Sequence, residues 1–224
     1  MRVVGGEWRG RPLAAPAGRT TRPTSDKVRE AIFAVLLALP EVAAGRAPGA
    51  GGPLAGQRAL DLFAGSGALG IEALSRGAES CTFVESDRGA LGTLRANLER
   101  LGVPVARGRR PTPPATTPRA RVLAGDARRV LPADARRGER YTLVFADPPY
   151  DRAEELLPAL TRLLLPVLAE RAVLVVETAA GATAGLPGAA LREKRYGDTQ
   201  VRFTLVDGLG RGHEETADDD SPAI

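Results

Sequence analysis

From residue 59 onward, short apolar runs alternate with helical patterns, and this alternation constrains the fold more than any other feature of the chain. Runs at 59–63, 80–85, 121–125, 141–146 and 172–178 read as five strands, each short and largely apolar without helical periodicity. Helical patterns lie at 68–76, at 90–101 with Leu91, Leu94, Leu98 and Leu101 on one face, and at 153–165, where Pro158 predicts a kink or restart. Strands separated by helices pair in parallel, and the helices cover both faces of the sheet. The class is therefore α/β with a mainly parallel sheet. Two further runs, 192–196 and 201–206, flank the turn pair Gly197-Asp198 and predict a terminal hairpin. Ligands of open parallel sheets gather beyond the carboxyl ends of the strands, so functional residues are to be sought there.

What surrounds this block is less regular. Residues 1–24 carry Gly5-Gly6, Gly10, Pro12, Pro16 and Pro23, which suit a short hairpin and an extended arm. Thr24 or Ser25 reads as an N-cap, and Val28, Ile32, Val35, Leu36 and Leu39 follow at helical spacing, giving a helix over 25–39 that ends at Pro40. The expected organisation is a basic hairpin-helix extension at 1–40, a flexible linker at 41–58, the main domain at 59–207 and an acidic disordered tail at 208–224. A basic, proline-rich insert at 107–119 is expected to be disordered.

Charge is unevenly placed. The formal net charge is +4, but residues 213–224 hold Glu214, Glu215, Asp218, Asp219 and Asp220 with no Lys or Arg. The remainder is more basic, and Arg2, Arg9, Arg11, Arg22, Lys27 and Arg29 cluster near the start. A surface of this kind suits a polyanion, because neutralised phosphates release counterions. The plain alternative is a solvated, arginine-rich surface. The single cysteine, Cys81, and single histidine, His213, provide neither a disulfide nor a metal-ligand set. No apolar run approaches the roughly 20 residues of a membrane span, and the first residues lack the apolar core of a signal peptide, so a cytoplasmic protein is expected. Nothing in the chain demands a dimer, and a monomer is expected.

The strand ends carry the chemistry. The first ends in Asp61-Leu62-Phe63-Ala64-Gly65-Ser66-Gly67-Ala68-Leu69-Gly70, where glycines let the backbone turn tightly beside a helix N-terminus and approach a ligand closely. Gly65, Gly67 and Gly70 satisfy the dinucleotide fingerprint, and Glu85, 20 residues after Gly65, is placed to accept both hydroxyls of a ribose. A nicotinamide oxidoreductase is thus a serious rival on these residues alone. Asp61 tilts the balance. A carboxylate there can reach the ammonium of an amino-acid-like ligand but repels a pyrophosphate, so S-adenosylmethionine suits the site better than a dinucleotide. The bland reading of Asp61 is a charge capping the loop. Asp126, just after the third strand, is placed to accept from an adenine amino group.

The fourth strand ends in Asp147-Pro148-Pro149-Tyr150. Two prolines hold the backbone extended, and because Pro149 has no N–H, the carbonyl before it points freely into the cleft. The lone pair of an exocyclic base amine is delocalised into its ring, which makes it a poor nucleophile. The Asp147 carboxylate and the Pro148 carbonyl can accept its two N–H bonds and favour a pyramidal nitrogen, while Tyr150 can stack on the extruded base. Orientation of the amine supplies much of the rate, and no base of shifted pKa is needed.

These residues resemble a known family, the bacterial 16S ribosomal RNA guanine-N2 methyltransferases of the RsmD type. The resemblance rests on residues 1–11 (MRVVGGEWRGR), 22–30 (RPTSDKVRE), 61–78 (DLFAGSGALGIEALSRGA), 83–87 (FVESD), 147–150 (DPPY) and 194–198 (KRYGD). It implies a class I S-adenosylmethionine-dependent methyltransferase fold, Rossmann-like, whose seven-stranded sheet ends in an antiparallel hairpin. It implies S-adenosylmethionine as cofactor, and 16S ribosomal RNA within the small subunit or its assembly intermediate as substrate. Asp147, Pro148, Pro149 and Tyr150 would be catalytic. Asp61, Phe63, Ala64, Gly65, Ser66, Gly67, Glu85, Ser86, Asp126 and Ala127 would bind the cofactor. Arg2, Arg9, Arg11, Arg22, Thr24, Lys27 and Arg29 would grip RNA. The rival readings are an adenine-N6 nucleic-acid methyltransferase, which shares the Asp-Pro-Pro-Tyr device, and a non-catalytic RNA-binding assembly factor. Trp8 either stacks on RNA or covers the core.

Overall fold

The computed structural model describes residues 1–16, 25–44, 51–106, 119–149, 152–181 and 187–208. The strands are β1 Arg58–Leu62, β2 Ser80–Glu85, β3 Arg119–Ala124, β4 Tyr141–Ala146, β5 Leu168–Ala179, β6 Ala189–Tyr196 and β7 Thr199–Asp207. They form one sheet in the order β3-β2-β1-β4-β5-β7-β6. The first five run parallel, and β7 pairs antiparallel with both β5 and β6. The expected parallel sheet with a terminal antiparallel hairpin is what the chain forms.

The helices are α1 Asp26–Ala38, α2 Pro40–Ala44, α3 Ala68–Ser75, α4 Arg88–Leu101, α5 Ala127–Arg136 and α6 Ala153–Leu164. They sort by face. One apolar core joins α1, α3 and α4 to the sheet through residues such as Phe33, Leu74, Leu94 and Phe145, and the other joins α5 and α6 through Leu131, Leu157 and Leu160. The N-terminal hairpin belongs to the first core. Its Val3, Trp8 and Leu13 are all buried there, so Trp8 covers the core and does not face solvent.

Local signals set most helix ends. Ser25 caps α1, its hydroxyl accepting from the Val28 N–H. Leu39 is extended, as a residue before proline prefers, so α1 ends there; Pro40 then opens α2, with its fixed φ suited to a first helical position. The stretch expected as a linker therefore begins with a helix, and at its far side Leu54 is fully buried and donates its N–H to the Arg76 carbonyl. Residues 45–50 between them lie outside the described set, as do 107–118 and 209–224 of the expected insert and tail.

Besides α2, several elements depart from the sequence reading: β3 begins at Arg119, inside the expected insert, and β6 begins at Ala189, three residues before its expected run. Helix α5 lies outside the sequence reading: its ten residues favour a helix in composition, but they show too few apolar positions to mark a buried face and contain Pro132, which removes one internal hydrogen bond. It forms because Asp126 caps it and because Ala127, Leu131 and Asp134 are buried. Asp134 then accepts from the Tyr141 hydroxyl at 2.7 Å and from Arg121. Strand β5 starts four residues before the expected run, at Leu168. Leu168 pairs with Tyr141 of β4, and β7 carries the register on from Arg171↔Asp207 to Ala179↔Thr199, taking in the exposed Arg171 that no apolar pattern marks.

Candidate active site

The sheet reverses its strand order between β1 and β4, which are neighbours with Leu62 opposite Ala146. The loops that leave them, 63–67 and 147–149, therefore emerge side by side. Strand β2 lies on the other flank of β1, with Val84 opposite Leu62, and β3 lies beyond it. The sequence places these segments up to 86 residues apart; the crossovers bring them to one edge.

The glycine loop has a specific build. Phe63 adopts φ 59, a left-handed conformation that is costly for a bulky side chain by about 1–3 kcal/mol. Gly65 and Gly67 take φ 57 and 80 without that cost. Gly70 has a different reason: a Cβ there would meet Phe83 Cε1 at 2.4 Å and Cys81 Sγ at 2.5 Å, so only glycine lets α3 lie this close to β2. Glu85 ties the loop to the end of β2. One of its carboxylate oxygens accepts from Gly65 N–H and the other from the N–H groups of Ser86 and Asp87, each at 2.8 Å.

Asp61 is buried behind the loop and accepts the Gly70 N–H at 2.9 Å. Burial, opposed by that hydrogen bond and reinforced by the nearby Glu85 charge, raises its pKa to about 7. The bond it makes here is that of a helix-loop cap. Asp126 caps α5 by accepting the Arg128 N–H at 2.8 Å, and both of its oxygens are also engaged by the Arg128 guanidinium, which lowers its pKa.

A cavity of about 70 Å³ opens between these parts. Phe63, Glu85, Ser86, Asp126, Ala127 and Pro149 are among the residues that line it. Pro149 of the aspartate–diproline segment and five of the residues expected to bind a cofactor thus line one cavity. Asp61, Ala64, Gly65, Ser66 and Gly67 form the adjoining loop and its support. Asp147 is half-buried and Pro148 buried. Tyr150 lies outside the described residues. Arg152 and Leu156, at the start of α6, also line the cavity and carry no motif of their own. The signal lay in their position: the first turn after the diproline loop must approach the same edge.

The basic arm divides. Arg2, Arg9, Arg11 and Lys27 are exposed, and Arg11 reaches the Arg100 carbonyl near the end of α4. Arg22 and Thr24 lie outside the described residues. Arg29 must be withdrawn from the RNA-contact set: its side chain is 0% exposed, pairs with Asp26 at 2.7 Å and lies 3.8 Å from the fully buried Glu72. It also donates to the Arg2 carbonyl. The cause is its place on α1, the face that packs on α3, which a charge count cannot reveal.

Comparison with known proteins bears on the identity of this site. The family described as conserved hypothetical protein 95 matches residues 1–205. YlbH of Bacillus subtilis (strain 168), whose name marks it as a candidate rRNA methyltransferase, is 43% identical over 165 residues, 73% of each chain. The ribosomal RNA small subunit methyltransferase D of Escherichia coli (strain K12) is 36% identical over 152 residues, which span 68% of this chain and 61% of that one. The solved structure of yhhF from Escherichia coli, described as a candidate methyltransferase, superposes with a TM-score of 0.67 at 35% identity, covering 93% of this chain and 98% of that one. The fold is that of the class I methyltransferases. With the motifs and the topology in agreement over nine-tenths of its length, the chain belongs to the conserved hypothetical protein 95 family, the RsmD family.

Proposed function

We propose that this protein transfers a methyl group from S-adenosylmethionine to the exocyclic N2 of a guanine in 16S ribosomal RNA of the small subunit. The observation that carries the reading is a shared cavity: the 147–149 segment and the glycine loop leave adjacent strands, and Pro149 of the one and Phe63 of the other line the same cavity. The names of the 36% and 43% identical relatives supply the substrate class.

The residues present fit the cofactor. Gly65 and Gly67 leave the backbone open to close approach, Glu85 stands with its carboxylate oriented by three N–H groups, and Asp126 lines the same cavity as Glu85 and Pro149. Glu85 would hold the ribose hydroxyls and Asp126 the adenine amino group, with Phe63, Ser86 and Ala127 around them, while Asp61 keeps the loop in place through Gly70. When bound, S-adenosylmethionine supplies a methyl group made electrophilic by its sulfonium.

The chain's own part is to present the amine. Asp147 and the Pro148 carbonyl accept its two hydrogens and turn its lone pair out of conjugation, and Tyr150 stacks on the base. The rigidity of the two prolines keeps both acceptors in one geometry, so the ordering cost is met before substrate arrives. Exposed Arg2, Arg9, Arg11 and Lys27 hold the RNA backbone. The protein acts in the cytoplasm, where ribosomal subunits are assembled.

The deciding experiment incubates the protein with labelled S-adenosylmethionine and small subunits lacking the modification, then identifies the methylated nucleoside by mass mapping. N2-methylguanosine supports the proposal. N6-methyladenosine would replace it with the adenine reading, and cofactor binding without transfer would leave an RNA-binding assembly factor. Asp147→Ala should lower methyl transfer by about 10²-fold or more, the scale of losing one oriented partner of a reacting group, while S-adenosylhomocysteine still binds.

A further inference from the structure

Asn97 has no part in the chemistry above, yet it is a fully buried polar side chain on α4. Its carboxamide oxygen accepts the Ala14 N–H at 2.9 Å, and its nitrogen donates to the carbonyls of Ala14 and Ser66, each at 3.0 Å. Only this orientation works. Turned over, the oxygen would face two carbonyls and the nitrogen an N–H, and all three bonds would be lost. An amide among Leu94, Leu98 and Leu101 is costly to bury unless its bonds are made. Here they join two segments distant in sequence: the irregular segment that follows the N-terminal hairpin, and the middle of the glycine loop.

Ser66 lies between Gly65 and Gly67, the two loop residues whose backbone is least restrained by sterics. Helix α4 restrains it from below at two places one turn apart. Leu94 closes under Gly67, where an added Cβ would stand 2.3 Å from Leu94 Cδ1, and Asn97 holds the Ser66 carbonyl.

We infer that Asn97 is a positioning residue for the glycine loop, locking Ser66 to Ala14 so that the N-terminal segment sets the backbone geometry of the cradle. The inference rests on the proposed function only for the identity of the ligand. Without this amide, the loop between the two glycines must be ordered by the ligand itself, and that cost appears as weaker binding. Asn97 touches no reacting group, so the chemical step on a saturated protein is unchanged.

The test uses the full chain and its variants Asn97→Leu, Ala14→Pro and the double variant. Ala14→Pro removes the N–H that Asn97 accepts and leaves α4 intact. S-adenosylhomocysteine affinity is read by calorimetry, KM and kcat by methyl transfer, and loop order by hydrogen exchange at Gly67, whose N–H donates to the Ala64 carbonyl at 2.7 Å. Asn97→Leu should raise the Kd and the KM for S-adenosylmethionine about tenfold, with kcat within about twofold and faster exchange at Gly67. Ala14→Pro should move the same quantities by a smaller factor, and the double variant should be no worse than Asn97→Leu, because both break one link. Unchanged Kd and exchange in folded variants would overturn the inference, as would effects that multiply. Should Asn97→Leu fail to fold, Ala14→Pro decides by the same readouts. A wild-type chain that does not bind S-adenosylhomocysteine would count against the proposed function, and exchange at Gly67 would still decide the role of Asn97.

Discussion

Replacing Arg29 by Met separates a structural cation from an RNA-contacting one. The substitution keeps most of the aliphatic stem and removes the guanidinium. Arg29 is 0% exposed and bridges Asp26, Glu72 and the Arg2 carbonyl, joining α1 to α3 and to the hairpin. Its loss leaves Glu72, also 0% exposed, with Arg76 at 2.8 Å and the Val4 N–H at 2.9 Å. Breaking a buried pair by removing one partner costs about 3–5 kcal/mol. The surviving bonds to Glu72, and the solvent reaching Asp26 at 34% exposure, put the cost at the low end, about 3 kcal/mol. For a chain of this size each kcal/mol shifts Tm by about 2–4 °C, so Arg29→Met should melt about 6–12 °C lower. Calorimetry measures that shift, and filter binding to a ribosomal RNA fragment over a range of salt measures the alternative. A phosphate-contacting arginine would instead leave Tm unchanged and lower the slope of log affinity against log salt by about 0.7–0.9. Unchanged melting with weakened, less salt-dependent binding would refute the reasoning and return Arg29 to the RNA surface.

Gly70→Ala sets two effects against each other. Helix propensity favours alanine by about 1 kcal/mol, but its Cβ would meet the fully buried Phe83 at 2.4 Å, and overpacking costs about 1–3 kcal/mol or more. A net loss in urea unfolding is expected, and a gain would show that α3 can shift. Asp61, with its folded pKa raised to about 7, binds its proton more tightly than in the unfolded chain. Its contribution is therefore fully present below about pH 4 and is lost as pH rises toward 7 and beyond. Asp61→Asn keeps an oxygen for the Gly70 N–H, so its stability relative to wild type should improve between pH 5 and pH 8. A constant difference across that range would contradict the assignment. Charge reversal at Arg9 and Arg11, both exposed, should weaken RNA binding most at low salt with little change in Tm. Unchanged affinity would remove the hairpin from the interface.

Much of this protein can be read locally. Strands β2 and β4 appear in the sequence with their observed ends, because a buried parallel strand needs a run of apolar residues and little else. The glycines after β1 mark a left-handed turn and, at Gly67 and Gly70, places where an added Cβ would meet a packed neighbour, and the paired prolines after β4 mark a rigid exit. Such features act within a few residues of themselves, so composition and spacing suffice to find them. What the sequence could not rank was the fate of each charge. Arg9 and Arg29 look alike in a list of basic residues, yet one is exposed and the other sealed between α1 and α3. Helix α5, rich in helix-forming Ala and Arg but interrupted by Pro132 and without a clear apolar stripe, is fixed because the fold offered its leucine and its aspartate a buried place. The meeting of residues 63–67 with 147–149, and of Ala14 with Ser66 through Asn97, depends on strand order and helix packing. Those are decided when distant segments are buried together, since burial and hydrogen-bond pairing are properties of the assembled core and not of any stretch within it.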